Sequence, residues 1–204
     1  MSQSSARQTY HHGDLRRSLL DAALDLVASK GAHGLSIREA AQMAGVSAGA
    51  PYRHFPSKDF LLAALAADGY RVLGDRLQRA REHDRGDFSR QVRAAAQAYL
   101  QVALDHPERF RLMFGGYFPS PADYPDLLDA CEATETILFE MLREGQEAGA
   151  VSALPVAQLA TVTHAFIHGL ASLLIEGQLA IPPETPLDAW FAPLFDAFWK
   201  GLCA

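Results

Sequence analysis

Apolar residues recur three and four apart along this chain, the breaks in that rhythm fall at Gly and Pro clusters, and no stretch alternates with the period of two that a half-buried strand requires. Such patterning leaves packed helices as the way to bury a core, so the sequence predicts an all-α protein of about nine helices. With 204 residues, 49% of them hydrophobic, the chain is long enough for one or two domains with a real core, which argues against disorder or a fibrous repeat. Asp14 can cap a first helix whose Leu20, Leu24 and Val27 share one face, with Lys30 in the last turn and Gly31 as its stop. Ser36 followed three residues later by Glu39 reads as a capping box for a short helix over about 37–43, broken at Gly45. Ser47 caps the next, with Tyr52 to Phe55 as its body and Pro56 as its end. Pro51 removes a donor four residues after that cap and makes its first turn irregular. Ser57 caps a long helix ending near 84–86. Further helices are predicted over about 87–106, 107–114, 126–148, 155–176 and 186–202, with a proline-containing loop at 115–125.

Charge and cysteine use narrow the function classes. The net charge of −6 is uneven: residues 1–73 hold eight Lys/Arg against six Asp/Glu, and residues 74–204 hold ten against eighteen. One part is thus compatible with an anionic surface and the other is not. Cys131 and Cys203 are too few and too far apart in sequence for a disulfide scaffold, and residues 1–12 lack the apolar stretch of an export signal, so a reducing cytoplasm is the expected location. The longest charge-free run, between Glu147 and Glu176, approaches the length of a membrane span. Gly149, Ser152, Pro155, Gln158, Thr161, Thr163, His164 and His168 interrupt it, which predicts a helix buried in protein instead.

The stretch Leu35 to Phe55, LSIREAAQMAGVSAGAPYRHF, carries the function. Two short capped helices joined by Ala44-Gly45-Val46 have the layout of a helix-turn-helix, with Ala40, Ala41, Met43 and Val46 as the apolar wedge and the second helix able to enter a major groove. Gly34-Leu35-Ser36-Ile37-Arg38-Glu39-Ala40-Ala41, Ala44-Gly45-Val46-Ser47 and Tyr52-Arg53-His54-Phe55-Pro56-Ser57-Lys58 resemble, in this order, the DNA-binding domain of the tetracycline-repressor (TetR) family of bacterial regulators. Tyr10-His11-His12-Gly13-Asp14-Leu15 occurs in one branch of that family. His106-Pro107-Glu108-Arg109-Phe110-Arg111-Leu112-Met113-Phe114 and Ile167-His168-Gly169 resemble that branch's C-terminal domain, whose signature is Trp-His-Gly, with Ile167 at the Trp position.

The resemblance implies a DNA-binding domain over residues 13–73 and a ligand-binding and dimerisation domain over 74–204. It puts Ser36 and Arg38 near phosphates, and Ser47, Ala48, Gly49 and Ala50 at the groove-facing start of the recognition helix, where the two alanines offer only methyl contact to a thymine. Tyr52 and His54 fall at positions that bind backbone or flanking bases, and Lys58 at a phosphate contact. Arg53 completes the candidate set, although it can also face away from DNA, and Tyr52 can equally fill the small domain's core.

In the second part, Tyr99, Phe110, Met113, Phe114, Tyr117, Phe118, Phe139, His164, Phe166 and His168 are candidates to line a cavity for a small hydrophobic effector. Ala165 and Gly169, four apart, with Leu173, Trp190, Phe191, Leu194 and Phe198, are candidates for a two-fold four-helix interface between copies of the chain. The expected function is a ligand-responsive, sequence-specific transcriptional regulator, a dimeric repressor of a palindromic operator, with no cofactor. Two alternatives stand beside it. One is a metal-dependent enzyme or metal sensor using His164 and His168, although Ala165 stands where a zincin needs Glu and no other catalytic constellation is present. The other is an effector-independent DNA-binding factor, which the acidic composition does not favour.

Overall fold

The computed structural model describes residues 12–83 and 86–203, with side chains from Leu15 onward. Its α-helices are α1 (His12–Gly34), α2 (Ile37–Met43), α3 (Lys58–His83), α4 (Phe88–Asp105), α5 (Pro107–Phe114), α6 (Pro125–Glu147), α7 (Val156–Ile175) and α8 (Leu187–Trp199), with 3-10 turns at Pro51–Arg53 and Pro121–Asp123. There is no strand among the described residues. Eight α-helices replace the nine expected, because the segment read as the recognition helix is a single 3-10 turn. Backbone contacts divide the chain into residues up to Leu65 and residues from Ala66, a boundary inside α3.

In the first unit, α1 contributes Leu19, Leu20, Ala23, Leu26 and Val27 to the core, α2 contributes Ile37, Ala40 and Ala41, and the start of α3 adds Leu61, Leu62 and Leu65. Gly31 interrupts α1 with φ +70°, a left-handed value that disfavours any residue with a Cβ. The side chain of Asp14 and residues Tyr10 and His11 lie outside the described residues. Ser36 caps α2 as expected, its hydroxyl accepting from the Glu39 N–H at 3.5 Å. The reciprocal half of the capping box does not form: the Glu39 carboxylate accepts from Lys30 Nζ at 2.5 Å instead. Met43, assigned to the apolar wedge, is half exposed, and the wedge is made by Ala40 and Ala41.

In the second unit, α4 buries Val92, Ala95, Ala96, Tyr99, Leu100 and Ala103 and packs chiefly against α7. Helices α5 and α8 also pack on α4, and α6 packs on α7. Gly145 near the end of α6 lets the ring of Phe88 sit directly against the helix backbone. The guanidinium of Arg81 on α3 pairs with Glu140 and Glu144 on α6. The Ser152 N–H donates to the Leu202 carbonyl at 2.8 Å, tying the turn after α6 to the end of α8.

Helix α7 corrects the expectation of a buried helix. It is long and apolar enough to cross a membrane by length and composition, yet only 28% of that window is buried within the chain. Leu159, Ala160, Thr163, Ile167 and Ala171 form one inward stripe, while Val162, Ala165 and Leu173 face out. A single chain covers one face of this helix and leaves the other uncovered.

Candidate nucleic-acid interface and interior cavity

The reading segment begins where α2 stops. The Val46 N–H donates to the Ala41 carbonyl at 2.9 Å and the Gly45 N–H to the Gln42 carbonyl at 3.1 Å, with Gly45 at φ +69°. This is a Schellman stop, and it needs glycine at that position. Beyond it the backbone runs through separate tight turns: Ala50 N–H to Ser47 O at 2.9 Å, Arg53 N–H to Ala50 O at 3.3 Å, and His54 N–H to Pro51 O at 2.9 Å. Pro51 has no N–H to offer the Ser47 carbonyl, so Ala50 closes the turn one residue early and the segment tightens to 3-10 geometry.

This arrangement exposes Ser47, Ala48 and Gly49 and leaves Ala50 half-buried. Pro51 and Phe55 take the core positions, so Tyr52, half exposed, is not a core residue. Arg53 and Arg38 are exposed, and His54 is half-buried with its ring 6.3 Å from that of Phe55. Phe55 is held from its other side by Arg16, whose guanidinium carbon lies 5.7 Å from the ring centroid. Lys58 opens α3 with its Nζ donating to the His33 carbonyl at 2.7 Å. The Ser36 hydroxyl is occupied in capping α2. All ten candidate DNA-binding residues belong to the first unit. Their polar, mostly exposed set, with three cations and glycine beside small side chains, is chemically suited to phosphates and base edges.

The second unit holds an almost wholly apolar, partly open cavity of about 80 Å³ lined from α3, α4, α5, α6 and α7. The Tyr99 hydroxyl lies 3.2 Å from His164 Nε2 and 2.9 Å from His168 Nδ1. Burial lifts the Tyr99 hydroxyl far above the ordinary tyrosine value. Burial also lowers the pKa of His164 and of His168, the latter further through the neighbouring His164. The three groups therefore form a neutral hydrogen-bonded cluster. No group of three or more His, Cys, Asp or Glu that could hold a metal occurs among the described residues.

Of the residues expected to line a cavity, Tyr99, Phe114 and His164 do so, and His168 touches it through Tyr99. Phe110 stacks behind His168, centroids 5.5 Å apart, and Met113 is buried where Gly69 lets α5 approach. Tyr117 and Phe118 pack on each other away from the lining, Phe139 is exposed beside an outer groove, and Phe166 stacks flat on Phe198 at 4.0 Å. The wall also uses Thr134, Glu135 and Thr163, which a search for aromatic residues passes over. Their signal in the sequence is position: Thr134 is four residues before Leu138 and seven before Met141, and Thr163 four before Ile167, on the inward stripes of α6 and α7.

The candidate interface residues separate into two faces. Leu173 and Leu194 are exposed, Ala165 is exposed, and Gly169, Trp190 and Phe198 are half-buried. Phe191 is 1% exposed and packs on Phe195, so it cannot contact a partner. Positions 191, 195 and 199 form the inward stripe of α8, and 190, 194 and 198 lie one residue out of phase with it.

Residues 19–65 match the bacterial regulatory proteins of the tetR family, and residues 92–198 match the tetracyclin repressor-like C-terminal domain. The chain is 38% identical over 112 residues to the HTH-type transcriptional regulator Rv1816 of Mycobacterium tuberculosis, a match covering 54% of this chain and 44% of that protein. It thus spans less than half the length of these mycobacterial relatives. A protein of unknown function from Rhodococcus sp. RHA1 shares the fold with a TM-score of 0.84 at 35% identity, covering 97% of this chain and all of that one. A structure assigned to the tetR family transcription regulators, from Shewanella sp. PV-4, gives a TM-score of 0.70 at 25% identity over 93% of this chain and 98% of that one. The chain belongs to the TetR family of bacterial regulatory proteins, with an N-terminal helix-turn-helix domain and a tetracyclin repressor-like C-terminal domain.

Proposed function

We propose that the chain is a ligand-responsive repressor that binds an inverted-repeat operator as a homodimer and leaves it when a small hydrophobic effector occupies the cavity. One observation carries this reading. Helix α3 opens with Lys58 in the DNA-binding unit and, further along, supplies Tyr70, Leu73 and Leu77 to the cavity wall. A ligand that favours one placement of these later turns therefore biases the helix that holds Lys58. The coupling available to such a device is typically about 1–3 kcal/mol. In this reading residues 13–73 form the DNA-binding domain, although Tyr70 and Leu73 at its end also line the cavity, and 74–204 form the ligand-binding and dimerisation domain, in the cytoplasm. Ile167-His168-Gly169 stands in place of the Trp-His-Gly signature of the branch that the C-terminal sequence resembles.

On DNA, Ser47 to Ala50 meet base edges while Ser36, Arg38, Tyr52, Arg53, His54 and Lys58 meet backbone and flanking bases. So short a reading head contacts few bases, and pairing two of them supplies the specificity. The exposed apolar face of α7 and α8, with Val162, Ala165, Leu173 and Leu194, is the surface that pairing covers. The test is operator titration at fixed salt. Tyr52→Ala sharply lowers operator affinity, and Lys58→Ala weakens operator and random duplex uniformly with a shallower salt slope. Unchanged affinity in both variants contradicts the assignment of this unit to DNA.

A further inference from the structure

Taking the cavity as the effector site, its wall narrows the ligand it can hold. Leu73, Leu77, Val92, Met141 and Ile167 supply an aliphatic lining, and most of its polar groups already have partners. The Tyr70 hydroxyl donates to the Met113 carbonyl at 3.1 Å, and the Thr134 hydroxyl lies 2.9 Å from the Tyr70 carbonyl and 2.8 Å from that of Ala130. The Tyr99 hydroxyl is taken by the two histidines. Thr163 differs: it is 5% exposed, it lines the cavity, and its buried Oγ1 has no hydrogen-bond partner. A buried hydroxyl without a partner is unfavourable, and a ligand group that bonds to it recovers that cost.

At the mouth one carboxylate is added to this apolar lining. An open groove between α6 and α7 shares Glu135, Leu138 and His164 with the cavity, and Glu135 is exposed there with Cys131 Sγ donating to its carboxylate at 3.6 Å. Among the described residues no Lys or Arg lines either space, and burial lowers the pKa of His164 and His168, so neither offers a positive charge to an entering anion at pH 7.5. The cavity, at about 80 Å³, is about half of the ~150 Å³ that accommodates benzene in an engineered apolar site.

We infer that this cavity takes an uncharged, mostly apolar molecule bearing a single hydroxyl or carbonyl group, that this group bonds to Thr163 Oγ1, and that Glu135 at the mouth turns anions away. The part of the ligand inside is a short chain of a few carbons, and a longer tail lies in the groove past Leu138. The inference rests on the effector reading for its biological meaning, and its test is direct binding to the full chain.

Calorimetric titration at pH 7.5 with 1-hexanol, hexanoate and hexylamine supplies three probes of one carbon number and different charge. Hexanol binds, and hexanoate binds at least tenfold more weakly. Thr163→Val weakens hexanol about tenfold, the size of one hydrogen bond, while Thr163→Ser restores it. Glu135→Gln narrows the gap between alcohol and acid by strengthening hexanoate binding. Hexanoate binding as tightly as hexanol overturns the inference. So does hexylamine binding best with Thr163→Val silent, which makes charge at Glu135 the anchor, and so does the absence of binding by all three probes. Operator affinity measured alongside separates the two readings: hexanol that binds through Thr163 yet leaves operator affinity unchanged at saturation refutes the effector role and leaves the ligand class standing.

Discussion

Replacing Gly145 by alanine reverses the usual sign of that substitution. Inside a helix, Gly to Ala ordinarily stabilises by up to about 1 kcal/mol, because alanine loses less backbone entropy on folding. Here the added Cβ would lie 2.2, 2.4 and 2.8 Å from the Cζ, Cε1 and Cε2 atoms of Phe88. The ring cannot stay at such distances. Its centroid is 5.8 Å from that of Trp199, itself 6% exposed, so displacing it forfeits an aromatic contact worth about 0.5–1.5 kcal/mol and adds overpacking strain of about 1–3 kcal/mol. After subtracting the helix gain, Gly145→Ala destabilises by about 0.5–4 kcal/mol, read as a lower urea midpoint at unchanged slope. In a Phe88→Ala background the obstacle is gone and the same change stabilises by a few tenths to about 1 kcal/mol. This double-mutant cycle isolates the ring. A Gly145→Ala protein more stable than the parent with Phe88 in place refutes the packing described for α4 and α6.

Three other outcomes follow from the same geometry. His164 and His168 have pKa values below the ordinary histidine value of 6.5, so as the pH falls below about 6.5 the unfolded chain takes up protons that the folded chain refuses. Stability is therefore flat with respect to these two groups above pH 6.5 and declines below it. Replacing both by Gln lessens the decline between pH 7 and 5.5 in urea titrations, and an identical decline contradicts their burial as neutral groups. Ser36→Ala removes the cap of α2 and lowers stability by about 0.5–1 kcal/mol, a loss that Ser36→Asp largely avoids. With α7 and α8 pairing two copies as proposed, Leu173→Glu combined with Leu194→Arg shifts sedimentation from dimer to monomer while retaining the far-UV helical signal; a dimer that survives both substitutions places the interface elsewhere.

The helices were legible because their stops are chemical: Gly31 and Gly45 adopt positive φ, Ser36 and Asp87 accept from the N–H three residues on, and Pro107 opens α5. The irregular start of the recognition segment was legible from Pro51, but not that the whole segment would shrink to one 3-10 turn. That outcome depends on Pro51 and Phe55 both being drawn into the core, a tertiary effect. Phase along α7 and α8 was hidden for another reason. Both are apolar nearly all round, so no polar face marks the solvent side, and Phe191 cannot be told from its neighbours Trp190 and Leu194 until the packing is seen. The cavity was missed in part because aromatic residues are conspicuous in a sequence, whereas a wall is made by whatever points inward: Thr163 lines it and Phe166 instead stacks on Phe198. Glu39 was assigned to the capping box, yet the nearby Lys30 ammonium claims its carboxylate.

The most direct test of a dimeric, sequence-specific regulator is selection of bound duplexes from a random DNA pool at near-physiological salt, followed by titration of the winner. The proposed function predicts an enriched inverted repeat whose half-sites are related by a two-fold axis, bound by two chains, with affinity lost on Tyr52→Ala. A pool that shows no enrichment, both as purified and after unfolding and refolding to strip any bound ligand, contradicts the account.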